Sequence, residues 1–151
     1  MNAASPAAAL DVAEIDDGDV AAVVALWQAC GLTRPWNDPA SDIALARRDE
    51  NSTVLVGRVG SHIVATAMVG HDGHRGWVYY VAIDPDNQGK GFGRAIMSAA
   101  EDWLRQAGIA KLQLMVRPDN KKVQAFYESL DYDEQKRIIY AKWLDGRAPT
   151  P

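Results

Sequence analysis

Residues 77–83 read Trp-Val-Tyr-Tyr-Val-Ala-Ile, apolar or aromatic at every position. Both alternating sets, Trp77/Tyr79/Val81/Ile83 and Val78/Tyr80/Ala82, are therefore suited to burial. A strand apolar on both faces belongs in the middle of a sheet that carries helices on either side. The next residues narrow the choice. "DPDNQGKGFGRAI", with glycines at 89, 91 and 93, opens a stretch whose apolar positions Phe92, Ala95, Ile96, Ala99, Ala100, Trp103, Leu104 and Ala107 keep helical spacing. Gly108 supplies a C-terminal stop, and "KLQLMV" reads as another strand. Strand, helix, strand in this order predicts a right-handed crossover between parallel strands.

Around this unit the chain predicts a short strand near Val12–Ile15 and an amphipathic helix with Val20, Val23, Val24, Trp27 and Cys30 inward. A second short helix is expected from about Asp42 to Arg48, then a hairpin in "STVLVGRVGSHIVATAMVG". Beyond the crossover, "NKKVQAFYESL" predicts a helix with Val123, Phe126, Tyr127 and Leu130 on one face, and "RIIYAKWL" a closing strand. The expected order is β-α-α-β-β-β-α-β-α-β-β. The fold class is α+β: a mixed sheet, mostly antiparallel with one parallel splayed pair, flanked by helices.

With 151 residues, 48% of them hydrophobic, the chain suits one domain with its own core. That domain is placed at 10–145, between a disordered leader over 1–9 and a disordered tail over 146–151. A net charge of -4 argues against a nucleic-acid partner, which would need clustered cations. No apolar run approaches a membrane span and the N-terminus lacks a basic signal region, so no membrane association and a cytoplasmic address are expected. The single cysteine, Cys30, can form no internal disulfide, and no metal-ligand spacing is present.

A helix N-terminus presents backbone N–H groups with no internal partner at the positive end of the helix dipole. Glycines let an anion approach those groups and permit a tight loop, so this loop is read as a phosphate cradle, with Lys90 and Arg94 adding charge. It is not a P-loop, because Gly-Phe-Gly-Arg stands where Gly-Lys-Ser would be. The dinucleotide fingerprint also fails, its third glycine falling on Arg94 or Ile96.

What remains, Gln88-x-x-Gly91-x-Gly93 between a central strand and a helix, resembles the pyrophosphate signature of the GNAT superfamily of N-acetyltransferases. Asn120 followed seven residues later by the Tyr of "FYE" resembles that family's second landmark. "RPWNDP" with "DGHRG" is similar to a YpeA-like group of small bacterial acetyltransferases.

The resemblance implies acetyl-CoA as cosubstrate and no metal. The cofactor would be held by Gln88, Gly89, Lys90, Gly91, Phe92, Gly93, Arg94 and Asn120, with the pantetheine arm along Val81, Ala82 and Ile83. It also implies direct attack of a primary amine, on a small molecule or a protein N-terminus, with Tyr127 as general acid to the departing thiolate. It allows a homodimer. A non-catalytic acyl-CoA-binding module is the alternative.

The family's usual glutamate base is absent: its two positions hold Trp77 and Met115. The turn "GHDGHRG" and the inter-helix connection "LTRPWNDPAS" are expected at one end of the sheet, opposite the phosphate loop. There Arg34, Trp36, Asn37, Asp38, His71 and Asp72 would face the acceptor, and Tyr79 and His74 are candidates for the acceptor side or the base.

Overall fold

The computed structural model describes residues 9–150. The expected leader therefore lies, except for residue 9, outside the described residues, as does Pro151 of the tail. The chain forms two compact units, one through Leu114 and one from Met115.

The first unit contains β1 (Asp11–Glu14), α1 (Val20–Ala29), α2 (Pro39–Arg47), β2 (Ser52–Val59), β3 (His62–His71), β4 (Gly76–Ile83), α3 (Phe92–Gln106) and β5 (Leu112–Gln113). The strands lie side by side in chain order. β1 to β4 are antiparallel, and β5 joins β4 in parallel through Gly76↔Leu112 and Trp77↔Gln113. The predicted mixed sheet with one parallel pair is what forms.

Helices cover both faces. Val23, Leu26 and Trp27 of α1 and Ile43 and Ala46 of α2 pack with Val54, Val56 and Ala82 into one core. On the other face α3 buries Phe92, Ile96, Met97, Ala100 and Leu104. Gly76 permits the close approach there: a Cβ on it would lie 2.4 Å from Leu104 Cδ1.

Three helix ends follow one device. Gly31 and Gly108 adopt φ +68° and +79°, and Asp131, just after the helix Lys121–Ser129, adopts φ +67°. In each case two successive N–H groups fold back onto the last helical carbonyls: Gly31 to Gln28 and Leu32 to Trp27, Gly108 to Arg105 and Ile109 to Leu104, Asp131 to Glu128 and Tyr132 to Tyr127. These are Schellman caps.

Three expectations are corrected. The first concerns β4, where the strict alternation fails. Ala67 of β3 faces both Tyr80 and Val81, a β-bulge between the pairs Thr66↔Ala82 and Met68↔Tyr79. Gly76 lies against Leu104 of α3, whereas Tyr80 stacks on Trp27 of α1. The extra residue has moved them to opposite faces, because one insertion reverses a period of two.

The second is the inter-helix connection. β1 ends, and β2 begins, at the end of the sheet where β3 turns into β4. A ten-residue helix spans about 15 Å, so α1 crosses the sheet and α2 returns. The connection thus lies at the far end, where Cys30 Sγ donates to the Ile83 carbonyl at 3.2 Å.

The third is the chain's end. The second unit holds α4 (Lys121–Ser129), and residues 132–150 contain no strand. In the expected closing strand, Ile138, Ile139 and Tyr140 are exposed. A run of apolar, β-prone residues is suited to a strand, but a strand exists only where a neighbour supplies a ladder.

Candidate functional site

β4 loses its β5 partner after Trp77. Asp84 N–H bonds the Val64 carbonyl of β3 at 2.8 Å, so by alternation the Ile83 peptide groups point to the opposite edge. From Val78 to Ile83 that edge has no ladder partner among the described residues. An extended chain fits such an edge by adding hydrogen bonds as a further strand would.

The strand then leads through a short turn at Pro85–Asn87, closed by the Asp84 side chain accepting from Asp86 N–H at 2.9 Å. Gly89 and Gly91 follow with φ +76° and +82°. Nothing lies within 4 Å of a Cβ built at either, so conformation and not crowding demands glycine there. Gly91 is the N-cap of α3 and supplies no side-chain cap. Gly93 is already inside the helix. Phe92 is buried and anchors the first turn of α3 in the core. Lys90 Nζ donates to Asn87 Oδ1 at 3.1 Å, holding its charge beside the loop. Gln88 precedes the two glycines in extended backbone.

The inter-helix connection lies at the Ile83 end of β4, as the Cys30 bond shows. Arg34 is occupied locally, its Nη1 donating to the carbonyls of Gly31 and Thr33. Asp38 is the N-cap position of α2 and accepts from Ser41 Oγ at 2.5 Å. Burial, and then the Asp84 charge, push the Cys30 thiol up, so it is a protonated donor and no nucleophile at neutral pH.

His71, Asp72 and His74 occupy the opposite end, so the structure does not bring them together with Arg34, Trp36, Asn37 and Asp38. They form a tight turn: Asp72 Oδ1 accepts from the N–H groups of His74 and Arg75, and His71 Nδ1 from Gly73 N–H. Those backbone donors hold the Asp72 carboxyl below its ordinary value. Tyr79 is 45% exposed, and partial burial with the Asp72 charge pushes its phenol up, which disfavours a phenolate base.

A group of side chains that sequence reasoning missed surrounds the bulge. Tyr80 stacks on Trp27 with centroids 3.8 Å apart and rings 7° from parallel. Its hydroxyl donates to Asp42 Oδ2 at 2.7 Å, and its carbonyl accepts from Thr66 Oγ1 at 2.9 Å. Burial and then the Asp42 bond push the Tyr80 phenol far up. The available signal was a tyrosine hydroxyl on an otherwise apolar strand face, which needs a partner when buried.

In the second unit Asn120 caps α4, accepting from Val123 N–H at 3.2 Å. Tyr127 is its buried residue, edge-on to Phe126 and Tyr132. Burial pushes the Tyr127 phenol up to about 12. No group of three or more metal-ligating side chains occurs among the described residues.

The family model described as "Acetyltransferase (GNAT) family" matches residues 14–132, most of the chain. The chain belongs to the GNAT acetyltransferase family. It is 41% identical over 135 residues to an acetyltransferase of Yersinia enterocolitica, covering 89% of this chain and 96% of that one. An acetyltransferase of Pectobacterium atrosepticum is 42% identical over 126 residues, covering 83% and 89%. The fold of this GNAT enzyme is similar to that of AAC(6')-Iy, solved with a bisubstrate analogue of CoA, with TM-score 0.78 over 89% of this chain and 98% of that one at 12% identity. It is also similar to the ribosomal-protein-S18-alanine N-acetyltransferase of Escherichia coli, with TM-score 0.74 and 27% identity, covering 92% and 88%. No helix among the described residues is long and apolar enough to cross a membrane.

Proposed function

We propose that this chain transfers the acetyl group of acetyl-CoA to a primary amine, on a small molecule or a protein N-terminus, by direct attack on the thioester. One observation carries the proposal: β4 is freed of its parallel partner after Trp77 and runs through two left-handed glycines into α3, whose N-cap, Gly91, supplies no side-chain cap. N–H groups from Gly89 to Arg94 would hold the diphosphate. The Val81 and Ile83 main chain would hold the pantetheine arm, and the Val81 N–H would polarise the thioester carbonyl. Tyr127, whose phenol is protonated at neutral pH and is raised further by burial, would give its proton to the departing thiolate and regain one through water from the acylated amine. Asn120 is proposed as a cofactor contact in addition to its capping role. One solved neighbour is named as an aminoglycoside N-acetyltransferase and another as a ribosomal-protein-S18-alanine N-acetyltransferase. Both names denote amine acceptors, the class proposed here.

The test has two parts. Thermal unfolding in the presence of CoA, NAD or ATP should show stabilisation by CoA; stabilisation by NAD or ATP alone would refute the cofactor. Thiol release from acetyl-CoA, screened over small amines and peptide N-termini, should then find an acceptor. With it, Tyr127→Phe should lower kcat by about 100-fold, the scale of general acid catalysis. An unchanged kcat would remove Tyr127 from the mechanism.

A further inference from the structure

Tyr80 adopts φ +51°. Among the described residues the only other non-glycine with positive φ is Asp131, which ends a helix. A bulky side chain resists left-handed backbone and persists there only where its surroundings over-determine it. Three contacts do so at Tyr80. One ring face is stacked on Trp27, which is fully buried. The hydroxyl reaches across to Asp42 on the first turn of α2. The carbonyl accepts from Thr66 Oγ1, which itself accepts from Trp27 Nε1 at 2.9 Å. Ring, hydroxyl and main chain are each held by a different element.

The consequence falls on the next residue. In a trans peptide the carbonyl of one residue and the N–H of the next lie in one plane and point in opposite directions; no cis bond occurs here. Thr66 is on β3 and grips the Tyr80 carbonyl. The Val81 N–H is thereby aimed away from β3, towards the edge that β5 leaves open. Rotating Tyr80 out of its left-handed conformation would swing this peptide and carry the Val81 N–H with it.

The geometry points to Tyr80 as a positioning residue, clamped by Trp27, Thr66 and Asp42, that aims the Val81 N–H at the thioester carbonyl. This rests on the acetyl-CoA reading above. The clamp also accounts for a tyrosine at a bulge where glycine would fit the backbone without strain. Asp42 and Tyr80 are both only partly buried, so either can be substituted without opening the core.

CoA lacks the acetyl carbonyl, so comparing the affinities of acetyl-CoA and CoA isolates the Val81 contact without any acceptor amine. A single well-aimed hydrogen bond gives acetyl-CoA an advantage of up to about tenfold in calorimetric titration of the wild-type chain. In Tyr80→Phe, which keeps the stack, and in Asp42→Ala, that advantage should fall to about twofold or less while CoA affinity holds. Asp42→Asn, which still offers a carbonyl acceptor, should retain most of it. A merely structural loss would weaken both ligands alike. Survival of the acetyl advantage in Tyr80→Phe and Asp42→Ala would overturn the clamp, and Tyr80→Phe decides alone if Asp42→Ala does not fold. A wild-type chain that binds CoA without favouring acetyl-CoA would also overturn it, leaving the cofactor reading intact; one that binds neither would overturn both.

Discussion

Thr66 has no exposed surface, and its hydroxyl serves two partners at once, accepting from Trp27 Nε1 and donating to the Tyr80 carbonyl. Thr66→Val preserves the shape and removes both bonds. Each buried group left without a partner costs about 1–3 kcal/mol, so urea unfolding should show a loss of about 2 kcal/mol or more. Thr66→Ser should recover most of it. If the valine variant matched the wild type, the network would contribute nothing. At this scale legibility was uneven. Gly89 and Gly91 were readable because positive φ narrows the residue choice to nearly one type. Tyr80 was hidden, since nothing local distinguishes a tyrosine held by Asp42 from one buried for its ring alone.

Helices here end by a rule that is written locally. Gly31 and Gly108 stand at the left-handed positions after α1 and α3, and Asp131 takes the corresponding place after α4. Aspartate tolerates this conformation better than most residues but less well than glycine. Asp131→Gly should therefore stabilise the chain by up to about 1 kcal/mol, measured as a raised denaturation midpoint with an unchanged slope. A destabilised variant would mean that the Asp131 side chain contributes more than its backbone costs. Strands were less legible than helices. β4 was identified from its composition, but its bulge was not, because a bulge is a relation between two strands. The same reason defeats the expected strand around Ile138–Tyr140, whose apolar run is present but which pairs with no strand among the described residues.

Across the folded unit, Asp19 is buried beside Arg58, with the turn before α1 on one side of the pair and β2 on the other. The hydrogen bond from Arg58 holds the Asp19 carboxyl below its ordinary value, against the opposing effect of burial. A depressed folded value means that the stabilisation is complete above the unfolded carboxyl pKa of about 3.9 and is lost as pH falls from there through the folded value. Stability followed by chemical denaturation should thus decline between about pH 5 and pH 2, and part of that decline should vanish in Asp19→Asn. At neutral pH the same variant should lose about 1–3 kcal/mol, because Arg58 is left without its carboxylate. An identical pH dependence in the two proteins would show that the pair carries none of it.

Spacing and residue type were enough to specify the helices, the glycine loop, the parallel crossover and the family, since each depends on neighbours a few positions apart. Three features arose only once the chain had folded: the bulge that reverses the faces of β4, the placing of the α1–α2 connection at the glycine-loop end, and the clamp on Tyr80. Tyr80 meets Asp42 across 38 residues and Trp27 meets Thr66 across 39. Contacts of that range depend on strand register and on how far each helix carries the chain, and no local pattern encodes either quantity.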